Sequence, residues 1–209
     1  EETAYFLNMT VKTEKPVVLT GSMRPSTAIS ADGPMNLYQA VCVAASAKSR
    51  GKGVLVVFAN RIFSARSVKK TSTYNVMAIS AGESGSIGVV RNDDVFFNGS
   101  PEKKNTVNTE FRVKSSDIIP KVPVIFFSVD ADTGMLEYAA EHFDGLVIAG
   151  AGAGEYSNRY RELIERLEIP VIISSRVDEG IITQDSVLCS NTVAANDLSP
   201  QKAAVLLRL

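Results

Sequence analysis

The 209-residue sequence has no tryptophan, one histidine and two cysteines, and its net charge is only −1. His142, Cys42 and Cys189 are too few and too far apart to form a metal-ligand motif or a histidine-dependent nucleophile. Acidic and basic residues are interspersed, which argues against a nucleic-acid-binding or membrane-binding surface. No apolar run approaches the roughly 20 residues that cross a bilayer. We therefore expect no metal site, and two free, buried thiols.

Hydrophobic residues make up 45% of the chain and charged residues 22%, which is typical of globular domains with a real core. The stretch "KPVVLTGSMRP" predicts a buried strand that enters a loop, and "SADGPMNLYQAVCVAASAKS" predicts an Ala-rich helix. The stretch "GKGVLVVFANRIF" is interpreted as a second strand of the same kind. Strand, helix and strand in this order indicate a βαβ unit with a parallel sheet. Residues 1–12 predict a preceding helix.

The second half of the chain repeats this alternation of strands and helices, after a stretch that is richer in Gly, Asn, Lys and Ser. "GSIGVVRNDDVFFNG" predicts a hairpin, and "FRVKSSDIIPKVP" is interpreted as an interdomain connection with two prolines. Three further strands are predicted, in "VPVIFFSV", "FDGLVIAGAGAG" and "IPVIISSRV", with helices at 133–142, at 157–168 and from Ser199 onwards. The predicted fold class is α/β, with two domains that each contain a parallel sheet covered by helices. The domains are placed at 1–114 and 121–209, with a linker at 115–120.

Three loops are predicted at the carboxyl ends of strands, where binding sites of such sheets lie. They are "TGSMRPSTAISADGP", "NRIFSARSVKKTST" and "AGAGAGEYS". The third fails the dinucleotide pattern G-x-G-x-x-G, because the last glycine would fall at Glu155, whose charge would repel phosphate. We interpret it as a tight turn, and Glu155 could instead offer a carboxylate to a cationic ligand group.

The stretch "SVKKTSTYNV" places two lysines against a run of hydroxyl residues. One interpretation is a solvated turn, because Ser, Thr and Asn favour loops. The other is chemical, since a lysine with a shifted pKa can serve as the proton partner of a hydroxyl nucleophile. Lys70, which precedes Thr71, fits that second description better than any other lysine here.

Five stretches together carry a family resemblance over nearly the whole chain. They are "EETAYFLNMTVKTEKPVVLTGSMRPSTAISADGPMNLYQAV", "ARSVKKTST", "DGLVIAGAGAGEY", "VIISSRVDEGIITQD" and "LSPQKAAVLL". The sequence resembles the bacterial-type L-asparaginase and glutaminase-asparaginase family. The resemblance implies a two-domain α/β enzyme that converts L-asparagine and water to L-aspartate and ammonia, with variable activity on L-glutamine. It also implies no cofactor, no nucleic-acid or membrane partner, and a homotetramer built from intimate dimers.

The resemblance further implies a threonine nucleophile, an acyl-enzyme and an oxyanion hole, with a second threonine in a Thr–Lys–Asp proton-transfer group. The family's lysine stands in a "K-T-x-T" stretch and maps to Lys70, which leaves Lys69 as surface charge. Ser22, chiefly through its backbone, is expected to contact the substrate amide. The family's "TGGTIA" and "HGTDT" segments, which carry both threonines and the aspartate, do not occur in the 209 residues. We therefore expect roughly 90 upstream residues, and predict that residues 1–209 alone are inactive.

Two positions depart from the family pattern. Glu155 stands where relatives often have Asn or Ser, and Val187 stands where they often have the acid that binds the substrate ammonium. The hypothesis is that the cationic contact has moved to Glu155, and the competing interpretation is a relaxed site. Two alternative functions remain open: an amidase subunit of an archaeal-type glutamyl-tRNA amidotransferase, and a non-catalytic homologue.

The compartment, cytoplasm or periplasm, also stays open. The 209 residues contain no signal-peptide pattern. Thr13 stands where periplasmic relatives often have a disulfide-forming cysteine, so an argument for the periplasm from that disulfide does not apply.

Overall fold

Residues Glu1–Arg112 and Val113–Leu209 form two separate units in the computed structural model, which describes all 209 residues. The predicted bounds of the linker, 115–120, stay a prediction. No helix in either unit has the length and apolar character needed to span a membrane.

The first unit contains two helices and seven strands. They are α1 (Glu2–Thr10), β1 (Val17–Leu19), α2 (Gly33–Ala45), β2 (Val54–Phe58), β3 (Arg61–Ser64), β4 (Lys69–Lys70), β5 (Ile79–Ser80), β6 (Gly88–Arg91) and β7 (Asp94–Phe97). The main sheet has the order β1-β2-β3-β6-β7, and β4 pairs with β5 as a separate two-stranded ribbon. The predicted βαβ unit is present, because β1 and β2 are parallel and α2 connects them. The predicted hairpin is present as β6 and β7.

The interpretation of "GKGVLVVFANRIF" as one strand is wrong, because the stretch folds into the hairpin β2–β3. Phe58 pairs with Arg61 in an antiparallel register. The two intervening residues, Ala59 and Asn60, have φ angles of 48° and 67°, the left-handed conformation that two-residue hairpin turns require. The sheet of the first unit is therefore mixed, with one parallel pair and three antiparallel pairs.

Helix α2 covers this sheet with an apolar stripe. Ala40 and Val43 pack into a cluster with Leu55, Val57 and Ile62, all of which are buried. The opposite side of α2 carries exposed Leu37 and Val41. Burial of this stripe fixes the rotation of α2 about its own axis relative to the sheet. The N-terminal end of α2 follows residues 20–32, called here the Ser22 loop.

The second unit has a wholly parallel sheet, as predicted. Its elements are β8 (Val124–Phe126), α3 (Gly134–His142), β9 (Leu146–Gly150), α4 (Asn158–Ile164), β10 (Val171–Ser175), β11 (Thr192–Ala194) and α5 (Pro200–Arg208). The strand order is β11-β10-β9-β8. Every residue of β9 is buried, as expected for a central strand covered on both faces. Strand β11 was not predicted, because three residues give little periodicity.

Candidate active site

The Ser22 loop leaves the carboxyl end of β1 and is held by one carboxylate. Asp32 accepts hydrogen bonds from the backbone N–H groups of Met23, at 2.9 Å, and Arg24, at 2.9 Å. Burial alone would raise the pKa of Asp32, but these bonds, its own backbone N–H and the Asn36 amide together lower it below the ordinary value. Asp32 is therefore a charged acceptor at neutral pH, and it folds the loop back onto the start of α2.

Asn36, on the first turns of α2, completes this arrangement. Its Nδ2 donates to the carbonyl of Gly21 at 3.0 Å and to Asp32 at 3.0 Å. Its Oδ1 accepts from the backbone N–H of Ala59 in the β2–β3 turn at 3.0 Å. The sequence predicted the helix but not the role of Asn36, because its bonds to Gly21 and Ala59 join segments 15 and 23 residues apart.

Lys70 lies on a strand rather than in a loop after β2. The prediction that "NRIFSARSVKKTST" leaves the carboxyl end of the second parallel strand is wrong, because β3 first runs back along β2. Lys70 then pairs with Ile79 in the β4–β5 ribbon, and the N–H of Thr71 donates to the carbonyl of Ala78 at 2.7 Å. The side chain of Lys70 is exposed.

The ribbon lies against the residue that precedes α1. The backbone N–H of Lys70 donates to Glu1 Oε1 at 2.7 Å. Glu1, Lys70, Thr71, Ser72 and Thr73 together line an open depression with a volume of 580 Å³. One amine, one carboxylate and three hydroxyls thus face a space large enough for a small polar molecule.

The Ser22 loop and the Lys70 ribbon meet in one hydrophobic cluster. Met23, which follows Ser22, packs against a cluster that includes Phe58 and Val68, and Ile79, the partner of Lys70, packs against the same cluster. The structure therefore brings two of the three predicted site segments into one packed region of the first unit.

The third segment, around Glu155, lies in the second unit. Gly152 and Gly154 have φ angles of 45° and 94°, and Ala151 and Glu155 exchange backbone hydrogen bonds of 2.8 Å in both directions. A Cβ on Gly150 would lie 2.3 Å from the carbonyl carbon of Gly154, so the loop closes on itself more tightly than a side chain would permit. This is the predicted tight turn, and it leaves the Glu155 side chain exposed.

Val187 packs against the core of the second unit, next to buried Cys189. The hydroxyl of Tyr156 donates to Cys189 Sγ at 3.3 Å. The pKa of Tyr156 is raised well above its ordinary value, mainly because the side chain is buried and secondly because of this contact. Both cysteines are free thiols as predicted, although Cys42 is only half-buried.

Comparison with known proteins identifies the family. The family model described as "Asparaginase, N-terminal" matches residues 1–103, and "Glutaminase/Asparaginase C-terminal domain" matches residues 121–209. A solved structure, "Probable Cytoplasmic L-asparaginase from Campylobacter jejuni", superposes with a TM-score of 0.94 at 41% identity, over 100% of this chain and 70% of that one. This chain belongs to the asparaginase family.

Curated relatives within the asparaginase family match along the whole chain. "Probable L-asparaginase periplasmic" of Haemophilus influenzae is 45% identical over 216 residues, which cover 100% of this chain and 62% of that protein. "L-asparaginase 2" of Bacillus subtilis is 42% identical over 214 residues, covering 100% and 57%. The chain thus spans about three fifths of the length of these relatives. The names of the relatives include both periplasmic and cytoplasmic proteins.

Proposed function

We propose that these residues belong to an L-asparagine amidohydrolase, a family in which activity on L-glutamine is variable. The term "full-length protein" denotes residues 1–209 together with the upstream residues that the family resemblance implies. The observation that carries the proposal is the position of Lys70, in a "K-T-x-T" stretch beside Glu1 and the hydroxyl-lined depression. Membership of the asparaginase family supports it.

The reaction requires two successive acyl transfers. A threonine hydroxyl from the upstream segment attacks the side-chain carboxamide carbon, its proton passes to the Thr–Lys–Asp group, and ammonia leaves with a proton from that group. Water then attacks the resulting ester, which releases L-aspartate and restores the threonine. Lys70 is the proton-transfer lysine of this chain, and the Ser22 backbone orients the carboxamide. No cofactor is needed for either step.

We propose that Glu155 binds the α-ammonium group of the substrate. Its exposed carboxylate stands on a turn that the glycines hold rigidly, whereas Val187 is apolar and packs against the core. A charge-assisted hydrogen bond of this kind contributes roughly 1.5–3 kcal/mol. Glu155 would thereby replace the acid that relatives often carry at position 187.

The proposed assembly is a homotetramer of intimate dimers. Both units carry large exposed apolar side chains, among them Leu37 and Val41 in the first unit and Ile181 in the second. Exposed apolar surface of this kind is suited to burial between subunits. We also propose that the first unit is the remaining part of the catalytic domain and the second is the smaller C-terminal domain.

The function is tested by ammonia release from L-asparagine. We expect the full-length protein to release ammonia, and residues 1–209 alone to release none, because the nucleophile lies outside them. As a matched comparison, the upstream residues of the Haemophilus influenzae relative are joined to Glu1, and this chimera should recover activity. A full-length protein that binds L-aspartate without turning over L-asparagine would instead support the non-catalytic homologue.

A further inference from the structure

Ser22 is held on both sides by side chains from the same short segment. The carbonyl of Gly21, which precedes it, accepts from Asn36 Nδ2 at 3.0 Å. The N–H of Met23, which follows it, donates to Asp32 Oδ2 at 2.9 Å. Both peptide groups that flank Ser22 are therefore fixed, while its side chain remains exposed.

Helix α2 provides a rigid base for this arrangement. Asn36 is 2% exposed and Gln39 is 4% exposed. The Oε1 atom of Gln39 accepts from the N–H of Asn60 at 3.1 Å, just as Asn36 accepts from Ala59. Rotation of a buried amide would leave its polar atoms without hydrogen-bond partners, which costs free energy. Asn36 and Gln39 therefore hold the Ser22 loop and the β2–β3 turn in one fixed geometry.

Replacing the carboxylate of Asp32 by an amide would remove at least one of its hydrogen bonds. It accepts from two backbone N–H groups and from Asn36 Nδ2. An asparagine at position 32 would offer one oxygen in place of two, and its NH₂ group would face another donor. At least one of the three bonds would be lost.

We propose that Asp32 and Asn36 are positioning residues, which set the Ser22 backbone so that it recognises the carboxamide nitrogen and discriminates substrate from product. This inference rests on the proposed function and deepens it. A backbone carbonyl at Ser22 accepts a hydrogen bond from the NH₂ group of L-asparagine. The same carbonyl repels the side-chain carboxylate of L-aspartate, which has no donor at that position. Neither Asp32 nor Asn36 touches the substrate.

The test uses Asp32→Asn in the full-length protein, with KM for L-asparagine and the inhibition constant of L-aspartate measured together. We expect KM to rise about tenfold, the effect of losing one hydrogen bond. The inhibition constant should stay within about twofold or fall, because a displaced carbonyl repels the L-aspartate carboxylate less. Asp93→Asn is the matched control, because Asp93 accepts from Tyr38 of the same helix but belongs to the β6–β7 turn. It should leave both constants unchanged.

The outcomes separate this inference from the function on which it depends. An active wild type whose Asp32→Asn variant keeps its KM, or loses affinity for substrate and product equally, overturns the positioning role alone. A wild type that releases no ammonia overturns the proposed function, and the inference with it. If Asp32→Asn does not fold, the same two constants are measured for Asp32→Glu, which keeps the charge but displaces the carboxylate by one methylene. A selective rise in KM is expected there too, and its absence would count against the role.

Discussion

At the scale of single residues, the hydrogen-bond partners of Asp32 explain the structural role of the motif "GSMRP…SADGP". Asp32 stands before a helix, where an acid is an ordinary start signal, yet its carboxylate bonds the N–H groups of Met23 and Arg24 and makes no side-chain cap. The residue pattern predicted helix α2 correctly. It could not predict the partners of Asp32, because these depend on how the loop before α2 folds back onto the start of the helix. Lys70 and Glu155 were identified through residue type and family resemblance, and their roles remain proposals.

The role of Glu155 gives a prediction at this scale. Glu155→Gln removes the charge but keeps the shape, so in the full-length protein KM for L-asparagine should rise about tenfold or more. Steady-state kinetics measure this directly. Glu162→Gln, on the exposed side of the following helix, is the control and should have no effect. An unchanged KM for Glu155→Gln would favour the relaxed site over a relocated ammonium contact.

At the scale of elements, the sequence predicted long strands and helices better than short pairings. Strands β2, β9 and β10 are visible in the sequence as continuous apolar runs, because they are buried on both faces. Helix α2 is visible through its apolar stripe of helical period. Strands β4 and β5 have two residues each, and β3 was merged with β2. Such short strands are defined by their partners rather than by local periodicity, so the path of the chain to Lys70 was predicted wrongly.

The β2–β3 turn allows a test of backbone strain. Ala59 has a φ of 48°, which disfavours a residue with a Cβ. Ala59→Gly should raise the free energy of unfolding by about 1 kcal/mol or less, because strain relief exceeds the added entropy of the unfolded chain. The same change at Ala44, exposed in α2, should lower it by about 1 kcal/mol, the helix penalty of glycine. Calorimetric melting of both variants checks this, and two equal decreases would contradict it.

At the scale of the whole molecule, the chain consists of two α/β units, and each contains residues with a proposed role. The Ser22 loop and the Lys70 ribbon share a hydrophobic cluster in the first unit, and the Glu155 turn belongs to the second. The parallel sheet of the second unit was predicted, whereas the mixed sheet of the first was not, since its antiparallel part begins at a two-residue turn. Both units match asparaginase family models, and the proposed reaction depends on Lys70 in the first unit.

The most direct measurement is the turnover number of the full-length protein with one or the other of the neighbouring lysines replaced. Lys70→Met should lower kcat for L-asparagine by at least about 100-fold, the lower range of general acid–base contributions, with little change in the melting temperature. Lys69→Met removes the same charge one residue earlier and should keep kcat within about twofold, because half-buried Lys69 does not line the depression. Equal kcat values for the two variants, or a Lys70→Met enzyme as fast as wild type, would contradict the assignment of Lys70 as the proton-transfer lysine.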